Sequence, residues 1–160
     1  MKSFLFMLLL APMTVVAQSD FEKSLAALDS AGRSLVSAKC AKPLAITKEQ
    51  IKNRHIDGIV DQIWSVQCDG YFLEYYIAND TAPPRELPMR LTLTRPHKTF
   101  PVKLNVGIAE SQVHMRLGAP ETKKHGELQY VGMDEAGADT VTFVVKNGKV
   151  AEIRWAWDVD

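Results

Sequence analysis

Two short dipeptides constrain this chain more than any other feature. Asn147-Gly148 separates residues 140–146 from 149–157, and Asp69-Gly70 separates residues 59–68 from 71–78. The flanking segments are rich in β-branched and aromatic residues. A two-residue loop of this composition favours left-handed backbone, whose twist suits a hairpin. Both regions are expected as β-hairpins. Period-two alternation then assigns faces. Val60, Trp64, Val66 and Cys68 share one face, while Ile59, Asp61, Ile63 and Ser65 share the other. In the return strand Tyr71, Leu73, Tyr75 and Ile77 alternate with Phe72, Glu74 and Tyr76. Leu87, Met89, Leu91 and Leu93 alternate with Arg90, Thr92 and Thr94, a third strand with one wet face. Pro88 cannot donate to a ladder, so this strand is expected to start at a sheet edge.

Helices are expected where the apolar period lengthens. Ser19 and Glu22 have capping-box spacing, and Phe21, Leu25, Leu28, Leu35 and Val36 follow at helical intervals over residues 20–38. Pro43 forbids continuation. Thr47-Lys48-Glu49-Gln50 is a second capping-box candidate and predicts a short helix ending near Arg54-His55. A connector over residues 95–101 is the best boundary between two halves. Beyond it, residues 102–106 read as a strand and residues 109–117 as a helix with Val113 and Leu117 at i, i+4. Gly118 and Pro120 close that helix. Residues 128–131, 140–146 and 149–157 complete the strands, with an acidic loop over residues 132–139.

The N-terminus indicates a compartment. Lys2, an apolar run over residues 4–10 and the small-residue exit Val15-Val16-Ala17 form a secretory pattern, with cleavage expected after Ala17. The run is too short to span a bilayer, which takes about 20 apolar residues. The first cysteine is Cys40, so no lipid anchor is expected. The chain carries 19 Lys and Arg against 19 Asp and Glu, and loss of Lys2 with the leader leaves a net charge of −1. That balance lacks the basic excess of a nucleic-acid binder. In an exported chain the pair Cys40 and Cys68 reads first as a disulfide. Closing that loop is worth roughly 3–4 kcal/mol in the chain-entropy model.

From Val106-Gly107-Ile108-Ala109-Glu110-Ser111-Gln112-Val113 through Arg116-Leu117-Gly118-Ala119-Pro120, then Tyr130-Val131, residues 141–145, Asn147-Gly148 and residues 150–153, the chain resembles the SmpA/OmlA (BamE) domain. That domain belongs to a small outer-membrane lipoprotein of the bacterial β-barrel assembly machinery. It shares a helix-plus-antiparallel-sheet shape with β-lactamase-inhibitor proteins. The resemblance covers residues 105–157 and implies a bacterial envelope protein with a binding role. The chain departs from it in lacking the acylated N-terminal cysteine, and residues 40–100 have no counterpart.

Catalytic signatures are missing from the sequence: no Gly-x-Ser-x-Gly, His-Glu-x-x-His or phosphate-cradling glycine loop occurs. Of His55, His97, His114 and His125, only His114 has an acid close by on its own helix, Glu110 at i−4, and solvated histidines are the better reading. Trp155 and Trp157 lie on one strand face with Ala151 and Ile153. They either cap the core or present an aromatic face to a partner, as Trp and Tyr do at binding hot spots. Tyr75 invites the same question. The loop over residues 79–86 offers Arg85 and Glu86 behind Pro83-Pro84. The loop over residues 132–139 offers Asp134 and Glu135, without the spacing of a calcium loop.

Together these readings predict an α+β fold, an antiparallel sheet covered on one face by helices, with an element order that allows two similar helix-plus-sheet halves (residues 18–100 and 101–160). The expected function is an exported, periplasmic, non-catalytic protein-binding module of envelope-assembly or inhibitor type, with another envelope or exported protein as partner. No membrane span, nucleic acid, metal or cofactor is implied. The alternative is a small-ligand or cell-wall-fragment binder using an aromatic sheet face.

Overall fold

A computed structural model describes residues 14–101, 103–132 and 139–159. The two glycine turns form as their chemistry demands. Asn147 (φ 52°) and Gly148 (φ 71°) both adopt the left-handed region and join β7 (Thr140–Lys146) to β8 (Lys149–Ala156). Gly70 (φ 83°) turns β2 (Val60–Cys68) into β3 (Tyr71–Ala78). With β1 (Ala45–Lys52), β4 (Arg85–Leu93), β5 (Thr122–Lys124) and β6 (Glu127–Val131), they build one antiparallel sheet in the order β1-β2-β3-β4-β8-β7-β6-β5. This order is two four-stranded meanders, each preceded by a helix: α1 (Thr14–Ala38) and α2 (Glu110–Leu117). The halves meet at β4 and β8, where Leu91 opposes Trp155 and Leu93 opposes Ile153.

The helices cover one face. Leu25, Leu28, Ala31, Leu35 and Val36 of α1 are buried, with Val113 and Leu117 of α2, against Leu73, Leu91, Leu93, Tyr130, Phe143, Ile153 and Trp155 of the sheet. Gly32 permits the close approach: a Cβ there would stand 3.0 Å from Trp155 Nε1. Among the described residues no helix covers the opposite face. Across it runs the register row Phe72, Thr92, Arg154, Thr142, Gln129. Beside that row Arg90 reaches Glu74 at 3.2 Å, and Arg154 reaches Glu127 at 2.9 Å and also Glu152.

Three expectations need correction, and one strand is additional. Residues 47–55 are not a helix. The capping-box spacing at Thr47 is a local signal with only Ile51 behind it, and pairing along the whole length of β2, Ala45 with Gln67 through Lys52 with Val60, outweighs it. Lys48 lies 3.7 Å from the Trp64 ring centroid, a cation–π contact that belongs to this register. Residues 103–107 form turns rather than a strand. There the Asn105 side chain takes the main chain of His97, accepting from its N–H at 3.2 Å and donating to its carbonyl at 2.9 Å. Pro88 lies in a strand with neighbours on both sides, but the β4–β8 ladder begins only at Arg90, so the missing donor costs no ladder bond on that side. The short strand β5 was not anticipated, and its turn rests on His125 (φ 51°) and Gly126 (φ 81°). The first helix begins at Thr14, within the stretch expected as the leader. Among the described residues no helix is long and apolar enough to cross a membrane.

Candidate functional site

Most of the aromatic candidates face inward. Trp155 is 1% exposed and packs on Phe100 at a centroid distance of 5.1 Å. Trp157 is buried, and its Nε1 donates to Asp29 Oδ1 at 3.2 Å. The Tyr75 hydroxyl donates to the Val36 carbonyl at 3.1 Å. All three therefore bind the chain's own first helix, and burial removes them from any surface a partner can reach. The reason is the side of the sheet that α1 covers, which alternation alone does not specify.

The polar candidates remain exposed but are paired. Arg85 binds Asp80 at 2.6 Å, and Glu86 accepts from Lys39 at 2.6 Å. Asp134 and Glu135 lie outside the described residues; Asp139, from the same loop, pairs with Arg33 of α1. Cys40 and Cys68 lie at disulfide distance, with Cα atoms 6.2 Å apart, and tie the segment after α1 to the end of β2. Glu110 meets His114 at 3.3 Å, where a solvated histidine was expected, and also takes the Lys123 ammonium at 2.8 Å. Lys123 first, then His114, hold its carboxyl below the ordinary range.

The uncovered face carries a site that alternation does not reveal. Asn53, after β1, accepts from the N–H groups of His55 (2.8 Å) and Ile56 (2.6 Å), a side-chain-capped turn. Its amide donates to Asp61 Oδ2 at 2.7 Å. Asp61 has no solvent exposure, and it also accepts from the Tyr76 hydroxyl and from the Asn79 N–H at 2.8 Å. Asn79 in turn donates to the Val60 carbonyl at 2.7 Å. One carboxylate thus gathers the β1–β2 turn, β2, β3 and the loop after β3. Burial pushes the Asp61 carboxyl up, yet three donors and the Arg85 charge together outweigh it and hold the group below its ordinary value. Tyr76 is pushed up to about 12, chiefly by its bond to Asp61 and next by burial.

Above this network lies a hollow of about 320 Å³. Ile51, Ile63, Leu87 and Met89 form an apolar lining, with Arg54 and Arg85 at the polar side. An acid held below its usual range, with its oxygens already engaged, is a poor proton acceptor at neutral pH. A phenol pushed up to about 12 is a poor proton donor. The arrangement is suited to recognition, by an apolar lining beside fixed charge.

No known family, curated protein or solved structure matches this chain. Its chemistry therefore rests on its own residues. The signal for the Asp61 cluster was present in the sequence as an acid placed between Val60 and Ile63 in a strand. Its partners, 8, 15 and 18 residues away, could not be paired without the fold.

Proposed function

We propose that this chain is an exported, periplasmic binding module of envelope-assembly or inhibitor type, which receives another exported protein on the uncovered face of its sheet. The observation that carries this reading is the one-sided cover: both helices pack on the same face and draw the large aromatics inward. The other face retains the Ile63–Leu87–Met89 hollow with Arg54, Asp80 and Arg85 in its lining, and carries the Arg90–Glu74 and Arg154–Glu127 pairs farther along the sheet. An apolar centre with a charged rim is the anatomy of a protein–protein interface. The leader over residues 1–17, the oxidising compartment and the SmpA/OmlA-like reading of residues 105–157 form part of the same proposal.

The test is a photo-crosslinking amino acid at Ile63, compared with one at exposed Ser34 on α1, in the full-length chain expressed with its leader. The expected result is a single adduct from Ile63, none from Ser34, and loss of that adduct in Leu87→Glu. Equal labelling from both positions overturns the interface. Recovery of an uncut chain from the cytosol overturns the compartment.

A second reading, small-ligand binding, is favoured by the hollow itself, whose volume is at the lower end of small-molecule sites. It no longer rests on an aromatic sheet face, since Trp155, Trp157 and Tyr75 are core residues. Binding of small cell-wall fragments that is lost in Met89→Glu, without a protein adduct, would favour it.

A further inference from the structure

Away from that face, α1 and α2 enclose a groove into which three cations from three segments converge. Lys23 comes from α1, Lys103 from the turn after Pro101, and Arg116 from the last turn of α2. The groove is a hollow of about 460 Å³ with the apolar groups of Ala27 and Leu104 in its lining, and the Ser24 hydroxyl lines it too. A second hollow shares Lys23, Ser24 and Arg116 and adds Asp20 and the side chain of Met115, which is 80% exposed. Arg90, Lys123 and Arg154 are matched to carboxylates; other surface cations such as Lys42 and Lys98 have no ion pair among the described residues but lie outside this groove. None of the three groove cations has an ion-pair partner among the described residues, and Asp20 is the one acid in either lining. Lys23, Lys103 and Arg116 are solvent-exposed, and like charges gathered on one wall raise the local concentration of anions there.

We infer that this groove is a binding site for a phosphate group carried on an organic moiety. A carboxylate brings one negative charge, whereas a phosphate brings between one and two, with several acceptor oxygens. An Arg fork, two ammonium groups and a hydroxyl match that set of acceptors. The volume exceeds a bare phosphate, and the apolar lining accommodates the group that carries it. A soluble phosphate ester and a phospholipid headgroup share this chemistry.

The experiment uses the full chain purified after export. Inorganic phosphate is titrated while the backbone amides of Ser24, Lys103 and Arg116 are followed by NMR. In parallel, the protein is sedimented with phosphatidylcholine vesicles with and without phosphatidylglycerol. The site predicts saturable shifts at those amides, or sedimentation only with the anionic vesicles, weakened in either case by 1 M salt. The triple variant Lys23→Gln, Lys103→Gln, Arg116→Gln loses at least tenfold in affinity. Asp20→Asn gains severalfold, because it removes the one opposing charge. These are exposed positions, so folding is checked by an unchanged melting temperature; should the triple variant fail that check, Asp20→Asn alone decides by its sign. Anionic-vesicle binding that is reduced by Met115→Ser, with phosphate shifts unaffected, assigns the headgroup as source. Phosphate shifts without vesicle binding assign a soluble ester. Absence of both signals, full binding by a folded triple variant, or an unchanged or weaker Asp20→Asn overturns the site.

Discussion

Gly32 lies within α1, where glycine is about 1 kcal/mol less favourable than alanine. Propensity alone predicts that Gly32→Ala stabilises. The packing predicts the reverse. The added Cβ would stand 3.0 Å from Trp155 Nε1, 3.2 Å from Cε2 and 3.3 Å from Cδ1, all atoms of the five-membered ring. Trp155 cannot swing away, since it is 1% exposed and held against Phe100. Overpacking of this kind typically costs 1–3 kcal/mol. Set against the propensity gain, the net is a loss of about 1 kcal/mol, or roughly 3–5 °C in Tm for a domain of this size. The sign should invert once the obstacle is gone. Trp155→Leu removes most of the indole at a cost of roughly 2–4 kcal/mol. It breaks no hydrogen bond, because the indole N–H is buried without a partner among the described residues. In that background Gly32→Ala keeps only its propensity gain of up to about 1 kcal/mol. Urea denaturation of the four proteins forms a double-mutant cycle with an expected coupling near 2 kcal/mol. A higher denaturation midpoint for Gly32→Ala in the native background, or a coupling within about 0.5 kcal/mol of zero, would refute the claim that glycine is there to admit Trp155.

Replacing Cys40 and Cys68 by Ser should cost roughly 3–4 kcal/mol for a sequence separation of 28, read as a lower denaturation midpoint that matches the reduced wild type. Asp61→Asn should cost about 2–4 kcal/mol at neutral pH, because an amide cannot accept from Asn53, Tyr76 and Asn79 together. The Asp61 carboxyl is held below its ordinary value of 3.8, so its stabilisation is complete above that pH and lost as pH falls through the folded value. Acid melts of Asp61→Asn should be correspondingly flatter below about pH 4. Tyr75 (burial first, then Glu86), Tyr76 (the Asp61 bond first) and Tyr130 (burial first, then Glu110) are each pushed up to about 12. Their neutral forms are favoured by folding, so stability should fall as pH rises from 10 towards 12. Tyr76→Phe should soften that alkaline limb and, by taking one donor from Asp61, flatten the acid limb as well, both measurable by thermal melts.

Legibility in the sequence followed the range of the interaction. The hairpins at Asp69-Gly70 and Asn147-Gly148 were readable because the backbone requirement lies within two residues. The helix over residues 110–117 was readable from Val113, Leu117 and the closing Gly118. Residues 47–52 were misread for the converse reason: Thr47 and Gln50 have the spacing of a cap, but the deciding partners, residues 60–65, lie on another strand. Alternation placed Trp155 and Tyr75 on definite faces but could not say which face α1 would cover. The Asp61 network was out of reach, since a buried acid is informative only when its donors are known, and these come from two turns and a neighbouring strand.

The seam between the halves explains why the aromatics were spent internally. The ladder between β4 and β8 is only four residues long, Arg90–Leu93 against Ile153–Ala156, so hydrogen bonding alone joins the two meanders weakly. The helix α1 crosses this seam. It accepts the Tyr75 hydroxyl at Val36 on the first half. On the second half it takes the Trp157 indole at Asp29 and admits Trp155 against Gly32. Those contacts make one sheet of two halves, and they require Tyr75, Trp155 and Trp157 to face the helix. The opposite face is therefore braced from behind. In the proposed interface that bracing would lower the ordering cost of binding, and recognition would fall to the smaller apolar groups Ile63, Leu87 and Met89 and to the charges around them.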